Sequence, residues 1–257
     1  MLKSMMIEGA RAMGIALTAE QAAQFAAYHD LLTTANAQMN LTRISDDPRE
    51  AADRNYLDCI APLAQEFPSV KRAIDVGSGA GFPGIPLSIM LPDVHFVLID
   101  SLGKRISFLQ SVIETLSLNA EALHMRAEDA ARQPALREQF DLATARAVAS
   151  MSVLSEYLLP FVRQEGWMLA LKGPSLDEEL CQADNAIKML GGDDEQGRLF
   201  AMTDIAYSIM SLVLQYVVLA IITYALADNP NGFKIAYVIY GVLSILVAAA
   251  IFFLIPN

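Results

Sequence analysis

Chemistry is most legible where three glycines, each two residues from the next, lie between two acidic residues. The run Ala73-Ile74-Asp75-Val76-Gly77-Ser78-Gly79-Ala80-Gly81-Phe82-Pro83-Gly84 reads as an apolar strand, a glycine loop and the start of a helix. Glycine at 77, 79 and 81 lets the backbone turn sharply and lets a ligand approach without Cβ atoms in the way. A plain strand-to-helix turn is the alternative reading of the glycines by themselves. The next apolar run, His95–Ile99, closes on Asp100, where a carboxylate can accept two hydrogen bonds from ribose hydroxyls. That second feature favours a nucleotide-like ligand lying outside the carboxyl ends of the strands. A dinucleotide loop prefers G-x-G-x-x-G with the pyrophosphate on the helix N-terminus. Here the spacing is G-x-G-x-G, led by Asp75. An acidic strand end suits the amino-acid part of a cofactor and repels a pyrophosphate, so S-adenosylmethionine fits better than NAD. An NAD-dependent enzyme stays open as the lesser alternative.

Elements that position these residues follow from periodicity. Thr18-Ala19-Glu20-Gln21 has the spacing of a capping box, and predicts a helix to about Met39. Asn40-Leu41-Thr42 ends it, and Asp47-Pro48 starts another that reaches Phe67. Residues 1–70 therefore read as a helical cap. From Lys71 short apolar runs alternate with helical segments, the pattern of a parallel sheet with crossover helices. The predicted strands are Ala73–Val76, His95–Ile99, Ala122–Met125, Leu142–Ala145 and Met168–Leu171. Helices are expected near 84–91, 103–117, 151–163 and 175–190. The fold class is doubly wound, Rossmann-like α/β over residues 71–192, with a linker at 193–203 and an apolar segment at 204–257.

The runs IDVGSGAGFPGIPLSI, LIDSLGKRISFL, RAED, TARAVAS and ALKGPS resemble the bacterial small-subunit ribosomal RNA methyltransferase G family, as do NLTRI and RNYLDC upstream. The resemblance covers about residues 20–192. It implies methyl transfer from S-adenosylmethionine to N7 of one guanine in small-subunit (16S) rRNA. It also implies cofactor contacts at Gly77, Phe82, the pair Ala127-Glu128 and Arg146. Asp100 would hold the ribose, with Asp75 and Gly79 lining the loop beside the methionine moiety. No catalytic residue is expected: N7 already carries an in-plane lone pair, so orientation of donor and acceptor suffices. Arg146 contacts cofactor or RNA, or is a solvated strand-end arginine. Lys104, Arg105, Arg126 and Lys172 are candidates for the local positive surface that RNA needs.

Two upstream positions depart from the resembled pattern, with Asn55 and Cys59 where the family usually has His and Ser. The C-terminus departs further. Instead of two more strands the chain continues into GDDEQGRLF and an apolar tail, so the sheet is expected to lack its last two strands and to leave the fifth as an uncovered edge. Ile205 to Ala227 offers 23 residues without a charge, and Ala236 to Ile255 a second uncharged run after the turn Asp228–Gly232. Each is long enough to span a bilayer, which predicts a transmembrane hairpin over 204–257, similar to the closing helices of a multi-spanning transporter. The methyltransferase domain would then be cytoplasmic, tethered to the inner membrane through 205–255. A membrane-anchored cofactor-binding protein without turnover, from a hybrid or truncated gene, is the alternative function.

Composition narrows the rest. A net charge of −11 argues against a general nucleic-acid binder without excluding a local basic patch. Cys59 and Cys181 lack metal-ligand spacing and read as reduced thiols, a single bridge being the alternative. No metal is expected, since His29, His95 and His124 also lack ligand spacing; His95 and His124 are expected at the edge of the core. The N-terminal segment has no continuous apolar stretch of the secretory kind.

Overall fold

In this computed structural model the described residues are 1–42, 44–45, 47–65, 67–146, 149–171, 176–189 and 199–202, all within one compact unit, Met1–Ile205. The first helices are α1 (Leu2–Ala12) and α2 (Ala19–Met39). α2 begins on the expected capping box: Thr18 Oγ1 accepts from the Gln21 N–H at 3.1 Å, and Gln21 Oε1 accepts from the Thr18 N–H at 2.9 Å. Its buried positions Ala22, Phe25, Tyr28 and Leu32 recur every three or four residues, which lays one face on the core. It stops at Asn40, in the left-handed conformation at φ 49°. The next helical run starts at Pro48 with Asp47 as its cap and ends at Ala64, slightly short of Phe67. It is not uniform: α3 (Pro48–Ala51) passes into a π-helical turn, Ala52–Leu57, then α4 (Asp58–Ile60) and a 3₁₀ turn.

Strands β1 (Arg72–Val76), β2 (His95–Asp100), β3 (Ala120–His124), β4 (Phe140–Arg146), β5 (Val162–Leu171) and β6 (Leu199–Met202) form one sheet. The order is β3-β2-β1-β4-β5-β6, and every pairing is parallel. Between them run α5 (Gly84–Met90), α6 (Gly103–Leu116), α7 (Ala127–Ala130), α8 (Met151–Leu158) and α9 (Leu176–Met189). Alternation along the strands divides the core. Ala73, Phe96, Leu98, Leu142 and Leu169 face the N-terminal helices, α5 and α6. Ile74, Val97, Ala143, Met168 and Ala170 face α8 and its neighbours. The helical cap is thus one layer of the domain, packed on α5 and α6, with Met6, Phe25, Tyr28, Leu32, Tyr56 and Ile60 in the shared core.

Two expectations are corrected. β5 starts at Val162 rather than Met168, because Glu165 (φ 62°) and buried Gly166 absorb a register shift opposite Phe140 and Leu142, and pairing resumes at Val162. More consequentially, the sheet does not end at β5. β6 pairs with it from Met168↔Leu199 to Leu171↔Met202, so β5 is internal. A four-residue apolar run inside a polar, glycine-containing stretch is too short to stand out by periodicity, and only a waiting edge makes it a strand. Among the described residues no helix is long and apolar enough to cross a membrane. The expected hairpin at 204–257 lies outside the described residues.

Candidate active site

Strand order reverses between β1 and β4, the neighbours at the centre of the sheet. A ligand crevice forms outside the carboxyl ends of the strands at such a switch point. A cavity of 590 Å³ opens there, lined among others by Gly77, Ser78, Gly79, Phe82, Asp100, Ala127, Glu128 and Arg146, a size suited to a cofactor. It gathers the ends of four strands: Val76 closes β1, Ile99 and Asp100 close β2, Met125 follows β3, and Arg146 closes β4.

The loop after β1 is held from within and from both sides. Gly77, Gly79 and Gly81 take φ of 71°, 60° and 108°, values that side chains disfavour. The Gly77 and Ser78 N–H groups donate to the Ile99 carbonyl at 2.9 and 3.1 Å. The Gly79 N–H donates to Asp100 Oδ2 at 2.9 Å. A Cβ on Gly79 would meet only the Gly77 carbonyl oxygen, at 3.8 Å, so the backbone there presents a bare wall.

Asp100 is 3% exposed yet lines the cavity. Its Oδ1 accepts from the Leu102 N–H at 2.8 Å, and its Oδ2 also pairs with Arg105 at 3.1 Å. Four lone-pair positions are therefore met by three protein donors, and the carboxylate stays aimed into the site. Arg146 lies 4.5 Å above the Phe82 ring. Its Nη1 donates to the Arg54 carbonyl at 3.1 Å and approaches Cys59 Sγ at 3.5 Å, tying the end of β4 to the π-helical turn of the cap.

Asp75 is placed differently. It does not line the cavity; it lies under the loop, wholly buried, with Oδ2 accepting from the Gly84 N–H at 3.1 Å. Burial pushes its carboxyl up to about 7, against hydrogen bonding from Ser78 and Gly84 and the field of Arg146. Its Oδ1 and the hydroxyl of Thr144, its register partner on β4, meet no protein donor or acceptor among the described residues. Because the folded value lies above the unfolded 3.8, Asp75 stabilises the fold fully below about pH 4, and that contribution is lost as pH rises through about 7. Asp75→Asn is expected to remove this loss, about 3 kcal/mol between pH 5 and 8, on the linkage of pKa to stability. Thermal unfolding of both proteins across that range checks it; parallel curves refute it.

These surroundings fit S-adenosylmethionine. A Cβ-free wall, a carboxylate facing outward and an aromatic ring suit a nucleoside bearing positive charge. The sequence-matched residues Gly77, Gly79, Phe82, Asp100, Ala127, Glu128 and Arg146 all meet in the one cavity. The chain matches the sequence profile described as rRNA small subunit methyltransferase G over residues 21–203. The chain belongs to the rRNA small subunit methyltransferase G family. A Clostridium perfringens ribosomal RNA small subunit methyltransferase G is 49% identical over 182 residues, 70% of this chain and 76% of the relative. The Lactobacillus johnsonii relative of the same name is 45% identical over 196 residues, 74% and 81%. Among solved structures, a tRNA (m1A58) methyltransferase from Aquifex aeolicus covers 45% of each chain at 16% identity and a TM-score of 0.37. That likeness is too distant to bear on the site.

In this member of the rRNA small subunit methyltransferase G family, Asn55 and Cys59 both lie buried within the cap. Cys59 Sγ donates to the Asn55 carbonyl at 3.1 Å, and burial pushes its thiol up to about 12, which keeps it neutral beside Arg146. The basic candidates separate. Arg105 and Arg126 line the cavity, while exposed Lys104 donates to the Met39 carbonyl at 3.2 Å. Lys172 lies outside the described residues, as does the side chain of Cys181. His95 and His124 sit at strand edges, bonded to Asn119 and to the Ser101 carbonyl. Among the described residues no cluster suits a metal ion. Sequence reading missed Leu41, Thr42, Ser101, Met125 and Tyr157, which also line the cavity. Leu41 and Thr42 belong to the NLTRI run, the only signal that pointed at them; Tyr157 comes from α8 and carried none.

Proposed function

We propose that the protein transfers the methyl group of S-adenosylmethionine to N7 of a guanine in small-subunit (16S) ribosomal RNA. The observation that carries this reading is that the family's glycine loop, Asp100 and Arg146 converge on one cavity at the switch point of the sheet. Gly77 and Gly79 would admit the cofactor against bare backbone, and Asp100 would accept from a ribose hydroxyl at its remaining lone-pair position. Ala127 and Glu128, at the start of α7, would bound the base, and Phe82 with Arg146 would close the rim where RNA enters. Asp75 acts from beneath, holding Gly84 and hence the exit of the loop.

When bound, S-adenosylmethionine supplies a methyl on a sulfonium, which the N7 lone pair takes while the broken bond's electrons remain on sulfur. No proton has to leave N7 before attack, so this chain's task is to align the two groups and exclude water, a contribution of several kcal/mol at most sites that work by orientation. The described lining, which holds no histidine or lysine, suits that demand. Arg105, Arg126, Lys104 and Lys172 would meet RNA phosphates despite the acidic whole.

The full chain, titrated with S-adenosylmethionine and then incubated with small ribosomal subunits and methyl-labelled cofactor, is expected to bind the cofactor and label one guanine at N7. Binding without transfer would favour the turnover-free alternative, and no binding by a folded sample would overturn the reading. The catalytic domain would work in the cytoplasm, where its substrate is. A membrane hairpin over 205–255 is proposed on its two charge-free runs, 205–227 and 236–255, alone; release of the chain from membranes by alkaline wash would refute it.

A further inference from the structure

The loop that faces the cofactor carries a weakness of its own. Ala80 stands between Gly79 at φ 60° and Gly81 at φ 108°, so the peptides around it lack the Cβ atoms that ordinarily restrict backbone rotation. Asp100 steadies the first of them through the Gly79 N–H. The carbonyl of Ala80 is held from the opposite side by a residue of the cap: the Tyr28 hydroxyl donates to it at 2.6 Å.

Tyr28 is suited to hold that carbonyl. It is wholly buried on α2, and a hydroxyl removed from water must find a partner or incur the cost of desolvation. Its ring is gripped by Tyr56 and Phe82, each with a centroid 5.7 Å away, so the hydroxyl has little freedom to leave. The approach is close: a Cβ on Gly81 would stand 2.8 Å from the Tyr28 oxygen. The same ring backs Phe82, over which Arg146 lies. One side chain of the cap therefore supports both the loop and the rim of the cavity.

We infer that Tyr28 is a positioning residue for the cofactor: its hydroxyl holds the carbonyl side of the Ala80 peptide, whose Gly81 N–H donates to the Ser78 carbonyl at 2.7 Å, and the helical cap thereby completes the loop. The inference rests on the cavity being the S-adenosylmethionine site. Tyr28 touches neither cofactor nor RNA, and its effect passes through the loop. Tyr56 provides a matched control, since it is as deeply buried and its hydroxyl bonds to His29 Nδ1 at 3.0 Å, away from the loop.

The experiment compares the full chain with Tyr28→Phe and Tyr56→Phe. Tyr28→Phe is expected to weaken S-adenosylmethionine binding and raise its KM by about tenfold, the loss of one buried hydrogen bond, with the KM for ribosomal subunits and kcat unchanged. Tyr56→Phe is expected to leave the cofactor KM unchanged while lowering the unfolding temperature comparably. Amide exchange without cofactor is expected to quicken about tenfold at Gly79–Phe82 in Tyr28→Phe alone. Equal effects of the two variants on cofactor KM, or unaltered loop exchange in Tyr28→Phe, would overturn the inference. Absence of cofactor binding in the unaltered protein would instead sink the functional reading, and the exchange experiment would still decide whether Tyr28 holds the loop.

Discussion

Asp100→Ala is expected to lower affinity for S-adenosylmethionine by about two orders of magnitude. A ribose hydroxyl donating to the remaining lone-pair position of the carboxylate makes a charge-assisted bond worth about 1.5–3 kcal/mol, and 1.4 kcal/mol is tenfold in affinity. Loss of the carboxylate also leaves the Gly79 and Leu102 N–H groups without their acceptor and releases Arg105. The loop then loses its anchor on the core side as well as its ligand contact. Asp100→Asn retains one acceptor oxygen and should fall between the two. Calorimetric titration of each variant with the cofactor reads the result directly. Binding by Asp100→Ala within tenfold of the unaltered chain would remove Asp100 from the site.

The second large effect belongs to Gly81→Ala. At φ 108° an L side chain is strained wherever there is space for it. Here there is none: the new methyl carbon would lie 2.6 Å from Ile85 Cγ1, 2.8 Å from the Tyr28 hydroxyl oxygen and 3.1 Å from Leu109 Cδ2. Backbone strain and overpacking together cost about 3 kcal/mol or more, which lowers the melting temperature by about 10 °C in a domain of this size. Relief requires α2 or α5 to shift, and either movement disturbs the loop. Cofactor binding should therefore be lost even at temperatures where the variant stays folded. An unchanged melting temperature would mean that the loop is not held as described.

The two substitutions test different strands of inference. Asp100 was visible as a strand-end carboxylate because its role follows from local sequence, an apolar run closing on an acid. Gly81 was visible as one glycine of three, but its neighbours Tyr28, Ile85 and Leu109 were not. A motif carries its backbone conformation within a few residues. Its packing depends on which helix lies across it.

Much of the fold was legible for the same local reasons. Strands β1, β2 and β4 are short, apolar and bounded by turns, and they lie close to where periodicity puts them. The capping box at Thr18 located α2 because a hydroxyl and an amide three residues apart satisfy orphan N–H groups without outside help. What was illegible has a common cause. β6 is four residues long and exists as a strand because β5 offers an edge. The early start of β5 depends on a register shift against β4. α1 carries no cap signal, and its Met6 and Ala10 are buried by the rest of the domain.

At the site, the amino-acid sequence by itself pointed to a nucleotide-like ligand, through glycine backbone free of Cβ atoms and an acid that closes the second strand. It also determined family membership, since those runs stand in order along residues 21–203. Tertiary structure decided which of the acids faces the cavity. Asp75 and Asp100 both lie at strand ends, yet one is sealed beneath the loop and the other aims outward, because loop and helix close over β1 while β2 opens into the crevice. It decided as well that Tyr28, more than fifty residues upstream in sequence, reaches the cofactor loop. No spacing rule brings those residues together; burial of the apolar face of α2 against α5 and α6 does.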